Sequence, residues 1–312
     1  MRILIVGAGA TGGYFGGRLL QHGRDVTFLL RERRAAQLAE TGLVIRSARG
    51  DVALPAPPMV LAQRLAAHYD LVLLSCKAYD LDQAMDDIAP AIGPHTAILP
   101  LLNGMRHLDR LRQRFGAERV LGGQCVIAAT LDAHGAVQHL NAIASLGFGE
   151  LDGSDSARMR ALAAQFGEAG FDARPSAAIV QDMWDKWVFL ATLAGMTCLM
   201  RASIGDIVGA PGGRDVILAL LEECRCVAAA AGHAPGEAVL QRARGMLTEA
   251  GSSLTASMLR DLQQGQRIEA DHVIGDMLGR AGHAMPQPSL LAVVFAHLKA
   301  YEASHAHRPP AA

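Results

Sequence analysis

No charge of one sign dominates this chain: 29 basic residues stand against 30 acidic ones. Without a net field there is no general pull toward a polyphosphate backbone or an anionic lipid surface, so the expected partner is a small molecule and neither nucleic acid nor membrane. Aromatic residues are scarce at 4%, while hydrophobic residues reach 51%, with much Ala, Leu and Gly. That balance excludes a disordered chain and suits a compact α/β protein. The longest notable charge-free apolar stretch, 187–200, is 14 residues. Spanning a bilayer takes about 18 to 20, so this stretch is expected as a buried helix.

Cysteine is sparse and unpatterned. Cys76, Cys125, Cys198, Cys224 and Cys226 form no CxxC pair and are odd in number, which reads as reduced thiols in a cytoplasmic protein. Twelve histidines include no His-x-x-x-His pair, and no metal site is expected. Internal repeats and low-complexity tracts are also absent. The basic, apolar opening has the start of a secretory leader, but glycines interrupt it and no convincing cleavage site follows.

What the chain does have begins at residue 2. The apolar run Arg2-Ile3-Leu4-Ile5-Val6 leads directly into Gly7-Ala8-Gly9-Ala10-Thr11-Gly12, and an amphipathic stretch over 14–22 follows that reads as a helix. Strand, glycine turn and helix in that order form a dinucleotide fingerprint. Gly7 permits the tight turn, Gly9 leaves bare backbone for a pyrophosphate, and Gly12 lets helix and strand pack closely, while the helix start offers N–H groups to the anion. The next strand pattern covers 25–30, and Arg31 stands where an NAD-preferring site would place a ribose-binding carboxylate. A guanidinium suits a 2′-phosphate, and Arg33 and Arg34 follow it, so the expected cofactor is NADPH. A solvated basic turn is the plain alternative, and Glu32 leaves a ribose hydroxyl contact open.

Length and texture predict two domains. Over residues 1–175 strand and helix patterns alternate, as in a Rossmann-type doubly wound parallel sheet, with a hairpin insertion at 42–55, strands at 70–76 and 96–102, and helices at 81–89 and 108–115. Residues 120–130 continue the alternation, 144–148 read as an edge strand, and 157–169 as a closing helix. After Arg174-Pro175-Ser176 the periodicity becomes helical: 178–200, 214–231, 235–248, 253–263, 267–281 and 287–303. The fold class is therefore α/β, an N-terminal Rossmann-type domain followed by an all-α C-terminal domain over 176–304. Residues 305–312 are expected to form a frayed tail. A cleft between the domains is the default substrate site. The apolar helices could pair subunits into a homodimer or bury one another within a monomer.

Three residues of the helical half stand out, each with a plain structural explanation. Lys186 interrupts the most apolar helix, among Met183, Trp184, Trp187, Val188 and Leu190. Its amine either sits in a partly dry site or snorkels outward, where Asp182, four residues earlier, would pair with it. Glu269 opens a helix, where the macrodipole stabilises a carboxylate whether or not it has a further role. Ser257 is a helix serine, ordinarily turned to water or to a backbone carbonyl.

Taken together they are more specific. The fingerprint at 6–12, Lys77-Ala78, Leu101-Leu102-Asn103-Gly104, Asp185-Lys186, Ser257-Met258-Leu259-Arg260-Asp261 and Ile268-Glu269 resemble, in order and spacing, the ketopantoate reductase (2-dehydropantoate 2-reductase) family. The likeness reaches to about Tyr301, and 147–153 resembles the segment closing that family's first domain. The resemblance implies NADPH-dependent reduction of a 2-oxo acid, with ketopantoate the first substrate to consider. It implies Lys186 as general acid and Glu269 as ligand to the substrate hydroxyl and support for the lysine. By the same likeness Ser257 would bind the substrate carboxylate, Asn103 would sit beside nicotinamide and substrate, and Lys77 near the cofactor ribose or the substrate. Where the resemblance implies asparagines four and eight residues after the lysine, this chain has Leu190 and Ala194, and Leu254 replaces a third. A more apolar 2-oxo acid is therefore expected, with Thr192 or Thr197 as replacement polar contacts. Two other readings stay open: an enzyme like the 3-hydroxyacid dehydrogenases, and a non-catalytic NADPH-binding sensor.

Overall fold

The computed structural model describes residues 1–66, 69–282 and 288–306. The chain divides into two compact units, one of Met1–Leu102 with His107–Val180, the other of Asn103–Arg106 with the chain from Gln181 onward.

Among its described residues the first unit holds ten strands: β1 (Arg2–Val6), β2 (Asp25–Leu29), β3 (Leu43–Arg46), β4 (Val52–Leu54), β5 (Met59–Val60), β6 (Leu71–Leu74), β7 (Ala97–Pro100), β8 (Leu121–Leu131), β9 (Val137–Glu150) and β10 (Asp172–Pro175). Five form a wholly parallel sheet in the order β5-β2-β1-β6-β7, with β1 central and Ile3 opposite both Val26 and Leu71. Parallel strands carry helices on both faces, which is why β1, β6 and β7 read as unbroken apolar runs. Ile3, Leu4, Ile5, Leu71, Val72, Leu73, Leu74, Ile98 and Leu99 are fully buried. Each such side chain contributes about 1.5–3 kcal/mol of burial.

The expected hairpin is present, with Leu43 opposite Leu54, but it belongs to a second sheet of order β10-β9-β3-β4, to which β8 adds antiparallel along β9. This sheet corrects one expectation. Residues 144–148 are not an edge strand; they are the inner half of β9, bonded to β8 on one side and β10 on the other. Burial explains it, since Ala144, Leu146 and Phe148 are covered and Phe148 meets Phe166 edge-on at 5.1 Å.

The second unit is helical. Its long helix Ile179–Met200 buries Trp187, Val188, Ala191, Ala194, Met196 and Cys198, as its apolar run requires. It stops at Arg201, whose φ of 55° turns the chain left-handed while the Ala202 N–H donates to the Thr197 carbonyl at 3.3 Å. Helices Gly213–Ala230, Glu237–Leu247, Ser257–Gln263 and Leu290–Ala306 follow the sequence pattern. Helix Ile204–Gly209 was not expected from periodicity; a capping box between Ser203 and Asp206 starts it. Over the predicted 267–281 helix, residues Asp271–Gly275 form a π turn before Asp276–Arg280 resumes α geometry. Helix continues through His305 and Ala306, where a frayed tail was expected from residue 305, and residues 307–312 lie outside the described residues. Among the described residues no helix is long and apolar enough to cross a membrane.

Candidate active site

The candidate cofactor residues of the first unit gather at one end of the parallel sheet. The glycine turn leaves the C-terminal end of β1, Arg31 follows β2, Lys77 follows β6, and the chain running to Asn103 leaves β7. In an open parallel sheet that is the end at which ligands bind.

Gly7 adopts a φ of 91°, which starts the turn, and its N–H donates to the Leu29 carbonyl at 3.0 Å, the last bond from β1 to β2. A methyl group on Gly12 would overlap Ser75 Oγ and the Gly7 carbonyl, so the third glycine is required by packing alone. A methyl on Gly9 would meet nothing within 4 Å. Gly9 also caps helix Ala10–Gln21 without a side-chain hydrogen bond, and no acidic residue stands in the first turn. Ala8, Ala10 and Thr11 complete a backbone cradle at a positive helix end, which fits a dinucleotide pyrophosphate.

The arginines divide. Arg31 is an exposed ion-pair partner of Asp80 at 3.0 Å. The hydrogen bond its guanidinium donates to Asp80 is the main reason it lies above its usual pKa. Arg34 serves architecture instead: Nε donates to the Ala8 carbonyl at 2.9 Å, and another guanidinium nitrogen to the Gly135 carbonyl at 2.9 Å, tying the glycine turn to the β8–β9 hairpin. Lys77, half-buried, precedes the short turn Ala78–Asp80.

In the second unit Lys186 is half-buried on helix Ile179–Met200, and its Nζ donates to Asn103 Oδ1 at 3.1 Å. Its neighbour Trp187 is 1% exposed and donates from Nε1 to the Val273 carbonyl at 2.9 Å, which fixes this helix against the π turn. Glu269, half-buried, stands at the entry to that turn, and its carbonyl accepts from the Val273 N–H at 3.0 Å. Lysine, asparagine and the segment headed by the glutamate are thus joined by named bonds. Beside the lysine, burial raises the pKa of Asp185, whose carboxylate accepts from Gln181 at 2.8 Å.

Ser257 is exposed at the first position of its helix. The preceding Ala256 N–H points to Thr197 Oγ1 at 3.5 Å, roughly three turns along the long helix from Lys186. Leu190 is half-buried and Ala194 buried. The expectation that Thr192 or Thr197 replaces the missing amides is corrected. Both are fully buried, and their hydroxyls donate back to the Val188 and Leu193 carbonyls at 2.9 and 2.7 Å, a bond that satisfies a helix threonine without reaching a ligand.

His272 was not singled out from sequence. It lies in the π turn, 6% exposed, and burial pushes its pKa down to about 4, so the ring is neutral at physiological pH. A lone histidine in an apolar pattern gives no sequence signal. Lysine scarcity is a signal that was available: the chain has lysine only at 77, 186 and 299, and arginine elsewhere.

Fold and site together define an oxidoreductase with an NAD(P)H-binding Rossmann-like unit and a helical unit. The sequence model for ketopantoate reductase PanE/ApbA matches residues 3–153, and that for its C-terminal part matches 178–302. The uncharacterized oxidoreductase YkpB of Bacillus subtilis is 37% identical over 97% of this chain and 99% of its own length. A 2-dehydropantoate 2-reductase of Mesorhizobium japonicum is 28% identical over 94% of this chain and 96% of that protein. Among solved structures, the 2-dehydropantoate 2-reductase of Geobacter metallireducens superposes with a TM-score of 0.87 at 29% identity, covering 96% of this chain and 99% of that one. The chain belongs to the ketopantoate reductase PanE/ApbA family, whose activity is NAD(P)-dependent reduction of 2-oxo acids.

Proposed function

We propose that this protein reduces a 2-oxo acid to a 2-hydroxy acid with NADPH, 2-dehydropantoate (ketopantoate) being the first candidate substrate, and that Lys186 is the proton donor. One observation carries the reading: a half-buried ammonium on the long helix of the second unit, held by the Asn103 amide oxygen at 3.1 Å. Membership of the family and the names of the relatives support it.

Bound NADPH would supply a hydride to the keto carbon. The backbone of 7–12 would hold its pyrophosphate, and Arg31 would exchange Asp80 for the 2′-phosphate, a planar match that lysine does not offer. Lys77 would contact the ribose or the substrate. Lys186 polarises the keto oxygen before the transfer and gives it a proton as negative charge develops, which typically contributes about 10²–10⁴-fold. Asn103 keeps the amine pointed, Glu269 binds the substrate hydroxyl, and Ser257 its carboxylate. Leu190, Ala194 and Leu254 present hydrocarbon, so 2-oxo acids with apolar side chains belong in the same class of substrates.

The test is NADPH and NADH oxidation against a panel of 2-oxo acids, including ketopantoate and its apolar analogues, for the wild-type protein and Lys186→Ala. NADPH should be preferred, and the variant should lose about 10²–10⁴-fold in turnover with cofactor affinity nearly intact. Wild-type turnover in the variant would remove Lys186 from the mechanism. Tight cofactor binding with no oxidation by any 2-oxo acid would leave the sensor reading, and oxidation by 3-oxo acids alone would point to the 3-hydroxyacid dehydrogenase type.

A further inference from the structure

The turn Asn103–Arg106 leaves the parallel sheet after β7 yet packs as part of the helical unit. Something in that unit must hold it, and the contacts converge on one residue. The His272 ring donates a hydrogen bond to the Asn103 backbone. Gly104, with φ at 82°, lies so close to His272 that a methyl there would come within 2.9 Å of the His272 carbonyl and 3.2 Å of the ring carbon Cδ2. His272 in turn sits in the π turn, one residue before Val273, whose carbonyl receives the Trp187 indole at 2.9 Å. A π turn inserts one residue into the helical ladder and re-aims the side chains around it, a device frequent at functional sites. The chain of contacts therefore runs from Asn103 through His272 and Val273 to Trp187, next to Lys186, and the Lys186–Asn103 bond closes it into a loop.

We propose that His272 is a positioning residue: its ring and the π turn that carries it clamp the Asn103–Gly104 backbone so that the Asn103 amide oxygen stays on the Lys186 amine. Neutrality of the ring suits the role, because a cationic ring would be costly at so buried a position. The inference rests on the reading of Lys186 as the proton donor only for its effect on turnover; the clamp itself is a property of the free protein.

The experiment separates the two. Lysine occurs only at 77, 186 and 299, so labelling by an amine-reactive reagent can be followed peptide by peptide without cofactor or substrate. His272→Phe keeps the ring's bulk and deletes its hydrogen bond. It should raise the labelling rate at Lys186 severalfold, leave Lys299 unchanged, match Asn103→Ala, and add nothing further when combined with it. In turnover, His272→Phe should lower kcat about tenfold with the KM for NADPH within twofold, again with no further loss in the Asn103→Ala background, the non-additivity expected of residues acting in series. His272→Gln, which retains a donor, should recover most of both readings, and His272→Leu gives the same test if the phenyl ring is not accommodated. Unchanged Lys186 labelling in a folded His272 variant, or losses that add to those of Asn103→Ala, would overturn the clamp. A protein that turns over no 2-oxo acid but shows the labelling pattern would overturn the proton-donor reading and leave the clamp standing.

Discussion

Two glycines three residues apart in the fingerprint answer to different demands within one chain, and a methyl group tells them apart. At Gly12 it overlaps Ser75 and the Gly7 backbone, so Gly12→Ala is expected to destabilise the fold by about 1–3 kcal/mol or more. At Gly9 it meets nothing, and with φ at −75° the backbone accepts alanine. Gly9→Ala should therefore keep the wild-type melting temperature within a degree or two and weaken NADPH binding about tenfold or more, read by calorimetric melting and cofactor titration. Wild-type affinity in Gly9→Ala would mean that the open space over the turn is not where the pyrophosphate lies. At this scale the sequence was informative where structure depends on residue type and local order, as in the glycine turn and its φ of 91° at Gly7. It was uninformative where a side chain's partner is remote. Nothing in the basic run after Arg31 showed that Arg34 would be engaged by the Ala8 and Gly135 carbonyls, and Thr192 and Thr197 looked available until burial closed them off.

At the level of elements, apolar runs and periodicity located the parallel strands and most helices because burial on both faces, or along one stripe, leaves a trace in the sequence itself. What they missed is set by partners far along the chain. Residues 144–148 became an inner strand because β10, formed by 172–175, pairs with them, and the π turn became visible only with Trp187 and His272 packed around it. The start of helix Leu290–Ala306 is another such case. Its Leu290 and Leu291 N–H groups donate at 2.9 and 2.8 Å to the two carboxylate oxygens of Glu223, which belongs to helix Gly213–Ala230. A carboxylate at a positive helix end, accepting two otherwise unmet donors, is a tertiary cap. Glu223→Ala is expected to lower stability by about 1–3 kcal/mol in chemical denaturation, and Glu223→Gln, which keeps one acceptor without the charge, by roughly half as much. Equal stability of all three proteins would show that solvent satisfies those groups as well as Glu223 does.

At the scale of the whole molecule, the boundary between units falls at Val180 and Gln181, within the first turn of the long helix, and the chain also crosses at 102/103 and 106/107 to lend the second unit four residues. The sequence offered only a change of texture near Pro175, since membership of a four-residue turn is a matter of packing and not of composition. Those crossings have a thermodynamic consequence. The turn that carries Asn103, which holds Lys186, is continuous in the chain with β7 on one side and with helix Arg106–Phe115 on the other. Both tryptophans, Trp184 and Trp187, are buried in the helical unit, and their fluorescence reports that unit alone, whereas circular dichroism reports both. NADPH at about a hundred times its Kd should stabilise the unit that binds it by about 2.7 kcal/mol. If the crossings couple the units, the tryptophan transition in urea should move by the same amount as the circular dichroism transition, and the two should stay superimposed with and without cofactor. A tryptophan transition left in place while the circular dichroism curve splits into two steps would show that the 103–106 turn transmits nothing, and that each unit unfolds on its own.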